Sequence, residues 1–111
     1  MVNNPIPKLE EALAATGFIF AHYGWDSAPE NTDCGVYYET GTTMLNADNR
    51  SNAEVLMKGV VIYRTRDNSD TPRETIEQAL SGTGLSWKLA SVQFDPNDGG
   101  FIYYTWRWLN F

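Results

Sequence analysis

The chain has 111 residues, of which 14 are acidic and eight are lysine or arginine, so its formal net charge is −6. One core of ordinary domain size uses all of this length, and we expect a single domain over residues 1–111. The aromatic content of 14% and the apolar content of 42% are typical of a folded protein and exclude a disordered one. No cluster of basic residues is present to neutralise phosphates, which argues against specific nucleic-acid binding.

Membrane and redox features are also lacking in the sequence. No apolar run approaches the roughly 20 residues that a membrane-spanning helix needs. Residues 1–7 have neither the basic nor the apolar region of a signal peptide, so we expect no membrane partner and synthesis in a cytoplasm. Cys34 is the only cysteine, which excludes an intrachain disulfide and favours a buried or incidental thiol.

The first elements are a helix and a strand. Leu9 and Leu13 recur at helical spacing and predict a helix over residues 7–16, which Gly17 ends. Residues 18–23 are rich in aromatic and branched side chains and predict a first strand.

The middle of the chain predicts two further strands separated by a loop. Residues 34–40 resume β character after a segment dense in turn formers. Residues 55–64 carry apolar side chains on both faces of a strand, which is typical of a central position in a sheet. The polar stretch between them, residues 41–52, predicts a loop longer than a tight hairpin needs, and such loops are often functional.

A second helix begins at Thr71 in this interpretation. Thr71 is placed as the capping residue, Pro72 takes the first helical position, and Glu74 completes a reciprocal capping pair. Gly82 is positioned to end the helix.

The last two strands form a hairpin. Residues 85–94 and 101–109 flank a turn rich in Asp, Asn and Gly at 95–100. The order of elements predicts an α+β fold, with a mixed or mainly antiparallel sheet and two helices packed on one face.

Catalytic equipment is not recognisable in the sequence. The only histidine, His22, lies in a predicted strand without a surrounding motif, and no Gly-rich loop is followed by Lys and Ser or Thr. The loop carboxylates match no calcium-loop spacing and are interpreted as solvated turn residues: Asp26, Glu30 and Asp33 in one loop, Asp95 and Asp98 in the other. We therefore expect no enzyme, and no catalytic, cofactor-binding or metal site.

The aromatic run in the last strand is the most unusual feature. Strand alternation places Tyr104, Trp106 and Trp108 on one face, and Tyr103, Thr105 and Arg107 on the other. Core packing explains one face, whereas aromatic and arginine side chains on both faces favour a protein interface. A platform for stacking sugars is a third interpretation.

The order of these features resembles the small tail-completion or tail-terminator proteins of siphophages, often described as minor capsid or tail-component proteins. The resemblance covers nearly the whole chain, and its most family-like pieces are Ala47-Asp48-Asn49 and the helix after Tyr63. Relatives tend to have a Pro-aromatic pair entering the second strand, where this chain has Asp33-Cys34.

The resemblance implies a structural virion protein, assembled in the host cytoplasm and located in the tail or neck. Its implied form is a homo-oligomeric ring that ends polymerisation of the tail tube, and the expected ring is a hexamer. Its implied partners are the tail tube protein and a head-completion or connector protein, and DNA would pass through the ring without specific recognition. The candidate interface residues are Met44, Leu45, Asp48, Asn49, Arg50, Tyr104, Trp106 and Trp108.

Two alternatives stay open at this point. A head-completion or neck connector protein would have the same composition and would differ only in its place in the virion. A small ligand-binding or enzymatic domain would instead show a deep pocket near His22 and the loop carboxylates.

Overall fold

The computed structural model describes residues 5–25, 32–45, 54–97 and 99–110, with only the backbone at 42–45 and 54–56. These residues form two helices and five strands, in the order α1 (Ile6–Ala15), β1 (Phe20–His22), β2 (Cys34–Leu45), β3 (Glu54–Thr65), α2 (Thr71–Ser81), β4 (Ser86–Asp95) and β5 (Phe101–Asn110).

The five strands form one sheet in the spatial order β1-β2-β3-β5-β4. β1 runs parallel to β2, and the other neighbours run antiparallel. β3 lies in the centre, as its apolar residues on both faces predicted. The predicted α+β class with a mixed sheet is therefore confirmed.

Both helices pack on the same side of the sheet and close a single core. α1 buries Leu9 and Leu13, and α2 buries Ile76 and Leu80, in each case one helical turn apart on one face. Each fully buried leucine or isoleucine contributes about 2 kcal/mol relative to an exposed one. Alternate strand residues meet the helices from the sheet: Tyr37, Val61, Tyr63, Tyr104, Trp106 and Trp108.

The start of α2 differs from the prediction. The residue that caps the helix is Asp70, Thr71 is already the first helical residue, and no side-chain hydrogen bond caps this end. The reciprocal capping pair of Thr71 and Glu74 was therefore a wrong prediction. Asp70 has helical φ and ψ angles, and its carbonyl accepts the first helical bond, from the Glu74 amide at 2.9 Å. The helix thus begins one residue earlier than the capping sequence indicated.

The predicted loop over residues 41–52 is strand in its first part, because β2 continues to Leu45, and the remainder, residues 46–52, lies outside the described residues. Residues 41–45 pair antiparallel with β3 beyond a bulge between Glu39 and Gly41. The first strand is also shorter than predicted, because β1 contains only Phe20–His22.

The closing hairpin is confirmed. β4 and β5 pair antiparallel along their length, from Ser86 opposite Leu109 to Asp95 opposite Phe101. Gly100 has a φ of +75°, which glycine adopts without the strain that a side chain would cause. Within the described part of the chain, no helix is both long and apolar enough to cross a bilayer.

Candidate functional site

The two sides of the sheet differ in what they contact. The helices cover one side, and the opposite side, here called the open face, carries the alternate residues of β2, β3, β5 and β4. Its central row runs across four strands as Tyr38, Val60, Arg107 and Lys88. The apolar members of this row are half-buried and the two cations are exposed. The open face is therefore an apolar surface with basic side chains on it.

The three predicted aromatic interface residues lie on the helix side. Tyr104, Trp106 and Trp108 are buried, with 6%, 0% and 2% of their surface exposed. The Trp106 indole N–H donates to Oε2 of Glu77 on α2 at 3.0 Å. Side chains that are buried within their own chain have no surface to offer a neighbour, so this structure assigns all three to the core. The surface that β5 offers consists of its other side, with Tyr103, Thr105 and Arg107.

The Trp108 ring lies across Gly59, its cross-strand neighbour. A Cβ atom at Gly59 would approach a ring carbon of Trp108 and the backbone oxygen of Tyr38, both to 2.3 Å. Glycine at this position therefore leaves the space that the indole occupies. The indole nitrogen of Trp108 is buried and has no hydrogen-bond partner within the described ranges.

The predicted interface residues Met44 and Leu45 lie at the end of β2, opposite Val55 and Glu54. β5 pairs with β3 only as far as Asn110, which lies opposite Met57. Beyond that point, among the described residues, β2 and β3 continue as a ribbon of two strands without a third. Asp48, Asn49 and Arg50 lie outside the described residues.

A shallow cleft of about 580 Å³ occupies the end of the open face nearest this ribbon. Lys58, Lys88 and Arg107 line it from three adjacent strands, together with the apolar side chains of Val60 and Leu109. The described residues that line it include no aspartate or glutamate. Sequence reasoning missed this cluster because the three cations are far apart in the chain. Strand alternation indicated only that Arg107 faces away from the buried aromatic residues.

The other end of the open face is held together by arginine and aromatic contacts. The guanidinium carbons of Arg64 and Arg66 lie 4.5 and 4.3 Å from the centre of the buried Phe101 ring. Arg66 also donates from Nε to the Gly99 carbonyl at 2.8 Å, and its amide donates to Asp33. These contacts fix the β4–β5 turn to the body of the sheet.

His22 belongs to an exposed cluster at the edge of the sheet. Its Nε2 lies 3.0 Å from Oε2 of Glu39, and its ring stacks on Tyr23 and Tyr37 with centroids 4.2 and 5.0 Å apart. The Tyr23 hydroxyl donates to the other oxygen of Glu39. This hydrogen bond lowers the pKa of Glu39, and the bond to His22 adds to the effect.

Among the described residues, no deep pocket of the kind expected for a ligand-binding or enzymatic domain accompanies the cluster. The cleft on the open face and the depression beside Trp25 are lined by other residues. Cys34 is buried, as predicted, and does not belong to the cluster.

The loop carboxylates within the described residues accept hydrogen bonds from other residues of the chain. Asp33 accepts from Thr65 and Arg66, and Asp95 accepts from the Asn97 amide in the turn. Asp26, Glu30 and Asp98 lie outside the described residues. The described part of the chain holds no group of three or more His, Cys, Asp or Glu residues that could bind a metal ion.

No family model matches the chain, and no curated protein matches it either.

Proposed function

We propose that the chain is a structural virion protein, a tail terminator that forms a ring at the head-proximal end of a phage tail tube. In this role it ends tube polymerisation and joins the tube to the head through a head-completion or connector protein. The ring is proposed to be a hexamer located in the tail or neck of the virion. The resemblance of the chain to tail-completion proteins supports this function. The two-stranded ribbon and the open face support it independently.

The observation that carries the proposal is the two-stranded ribbon beyond the end of β5. An isolated two-stranded hairpin is at best marginally stable in water. The edges of such a ribbon also leave backbone N–H and C=O groups without partners, which another strand can bind. A ribbon of this kind is stabilised when a neighbouring subunit or a tube protein lies against it. It carries Met44 and Leu45, two of the predicted interface residues.

Ring formation requires that each copy present two different patches that fit each other. Such a head-to-tail contact closes into a ring when its rotation is right, whereas a contact between identical patches ends at a dimer. The open face and the helix-covered side of the sheet are distinct surfaces of this kind, which leaves the ribbon for the tube. Asp48, Asn49 and Arg50, which lie between β2 and β3 in the sequence, are proposed to contact the tube.

The test is a variant in which Asn-Gly replaces residues 44–55. This dipeptide suits a two-residue hairpin turn. In the variant it connects Thr43 to Leu56, two residues that already lie opposite each other in the ladder. Every core residue that the structure describes lies outside this segment, so we expect the variant to keep the melting temperature of the parent chain. Electron micrographs of tail tubes assembled with either protein give the tube lengths and the ends that carry density.

We expect the parent chain to shorten the tubes and cap one end, and the shortened variant to do neither. Tubes that stay uncapped and equally long with the parent chain would contradict the proposed function. Binding to head connectors without binding to tubes would place the protein in the neck as a connector instead. Six copies of the 12.5 kDa chain give a ring of about 75 kDa, which light scattering distinguishes from a monomer.

A further inference from the structure

The cleft on the open face concentrates positive charge on an acidic protein. Arg107 lies directly opposite Lys88 on β4 and Val60 on β3, and Lys58 lies in the next row, opposite Leu109. Side chains directly opposite each other on one face of a sheet have Cβ atoms about 5 Å apart. The three cations therefore occupy neighbouring positions around one apolar floor.

These cations have no acidic partner in the described part of the chain. The salt bridges found there join His22 to Glu39 and Arg73 to Glu77, and neither reaches the cleft. Like charges directly opposite each other destabilise a sheet. An arrangement that costs stability in the isolated chain becomes favourable when an anion binds between the cations.

The chain itself supplies the complementary charge. Three of the eight basic residues line the cleft, so the rest of the chain has five basic against 14 acidic residues, a net charge of −9. Asp67 and Asp70 are exposed just before α2 and Glu74 is exposed in its first turn, and Arg73 in that turn is paired with Glu77. The helix packs on the opposite side of the sheet from the cleft. A nucleic acid would instead meet the repulsion of a chain with net charge −6.

We propose that the cleft lined by Lys58, Lys88 and Arg107 binds the acidic start of α2, Asp67, Asp70 and Glu74, of a second copy of this chain. The contact is heterologous, because the two patches lie on opposite sides of each copy. It rests on the proposed function in that it supplies one subunit contact of the ring. The ribbon of β2 and β3 remains the proposed contact with the tube.

Charge reversal on each side of the contact tests this inference. Lys88→Glu reverses a charge in the cleft, and Glu74→Lys reverses one on the acidic patch. Lys8→Glu is the matched control, since Lys8 is exposed on α1 and lies outside the cleft. Sedimentation equilibrium in 50 mM and 500 mM NaCl measures self-association, and thermal unfolding verifies that each variant is folded.

We expect each of the two contact variants to associate at least tenfold more weakly than the parent chain, while Lys8→Glu associates normally. High salt should weaken association of the parent chain, because the contact is ionic. An equimolar mixture of Lys88→Glu and Glu74→Lys should recover association, since the glutamate in the cleft of one variant then faces the lysine on the acidic patch of the other. Recovery in the mixture is a result that unfolding or general charge effects do not produce.

Three results would overturn the inference. The first is a parent chain that stays monomeric at 1 mM in 50 mM NaCl, and the second is equal weakening by Lys8→Glu. The third is a monomer that binds a labelled 20-nucleotide single-stranded DNA through the cleft, with binding lost in Lys88→Glu. The tube-capping assay decides the proposed function separately, because a chain that caps tubes without this contact would retain that function.

Discussion

Glu77 on α2 and Trp106 on β5 join the helix layer to the sheet through one partly buried hydrogen bond. The Trp106 indole N–H donates to Oε2 of Glu77 at 3.0 Å, and Nε of Arg73 donates to the same oxygen at 3.2 Å. Trp106 is fully buried, so this carboxylate is the partner of a donor that water does not reach. The pairing explains why an acidic residue lies on the inner side of α2.

Glu77→Ala is expected to lower the free energy of unfolding by about 2 kcal/mol, because it leaves the Trp106 donor buried without a partner. Arg73→Ala removes only the partly exposed ion pair and should cost about 0.5 kcal/mol. Urea unfolding monitored by tryptophan fluorescence measures both. Glu77→Gln keeps an acceptor oxygen, so its loss in the free energy of unfolding should lie between those of Glu77→Ala and Arg73→Ala. An equal loss for Glu77→Ala and Arg73→Ala would contradict a structural role for the indole bond.

Gly59 is expected to be essential for packing of the Trp108 ring. Gly59→Ala places a Cβ atom 2.3 Å from both the ring and the Tyr38 carbonyl, and overpacking of this kind costs about 2 kcal/mol. Gly82→Ala is the control, since Gly82 has helical φ and ψ angles and its nearest neighbour would be 3.5 Å away. The melting temperature should fall for Gly59→Ala and stay within a few degrees for Gly82→Ala. Equal melting temperatures would mean that the indole can move away at little cost.

Thr71→Ala tests the corrected start of α2. Because Thr71 is exposed and caps nothing, the substitution should change stability by less than about 0.5 kcal/mol. Thr83→Ala provides the contrast, since the buried Thr83 hydroxyl donates to the Leu80 carbonyl and accepts from the Leu85 amide. Losing both bonds should cost about 1.5 kcal/mol. A large loss for Thr71→Ala in chemical denaturation would restore the capping interpretation.

Sequence patterns predicted the elements that a single strong signal defines. The apolar stripe of each helix, the two-sided apolar strand β3 and the turn-rich closing hairpin each depend on residues close together in the chain. The extension of β2 was missed because Gly41-Thr42-Thr43 looks like a loop when taken alone. Its strand conformation comes from pairing with β3, a contact that local propensity does not encode.

The candidate site was less predictable, for a related reason. The division of β5 into two faces was visible from alternation, but which face the helices cover was not. Lys58, Lys88 and Arg107 become neighbours only through the register of three strands, and register is set by the whole sheet. The buried indole of Trp106 likewise finds its hydrogen-bond partner in Glu77, which lies 29 residues away in the chain.

Tyr63 is expected to make the fold sensitive to alkaline pH. Burial raises the pKa of its hydroxyl to about 12 from an ordinary value of 10.0, and nearby Asp33 adds to the shift. The unfolded chain therefore releases this proton first, so stability is unaffected below pH 10 and falls as the pH rises toward 12. The loss amounts to about 3 kcal/mol at the upper end of this range.

The measurement for Tyr63 is the urea midpoint from pH 8 to 12, compared between the parent chain and Tyr63→Phe. The variant has no hydroxyl to ionise at this position, so its stability should fall less steeply above pH 10. Parallel curves for the two proteins would show that the Tyr63 hydroxyl ionises equally easily in the folded and unfolded chains.

Tyr23→Phe tests the exposed cluster around Glu39. The Tyr23 hydroxyl is the main cause of the lowered pKa of Glu39, so its removal should raise that pKa toward the ordinary value of 4.5. A lowered pKa in the folded state stabilises the protein at neutral pH, and this contribution is lost as the pH falls through the folded pKa. The stability difference between parent and variant should therefore shrink on acidification. Carboxyl chemical shifts followed by NMR titration give the pKa directly.

Tyr38→Phe is the control, because Tyr38 lies on the open face and Glu39 on the other side of β2. An unchanged Glu39 pKa in Tyr23→Phe would assign the shift to His22 instead.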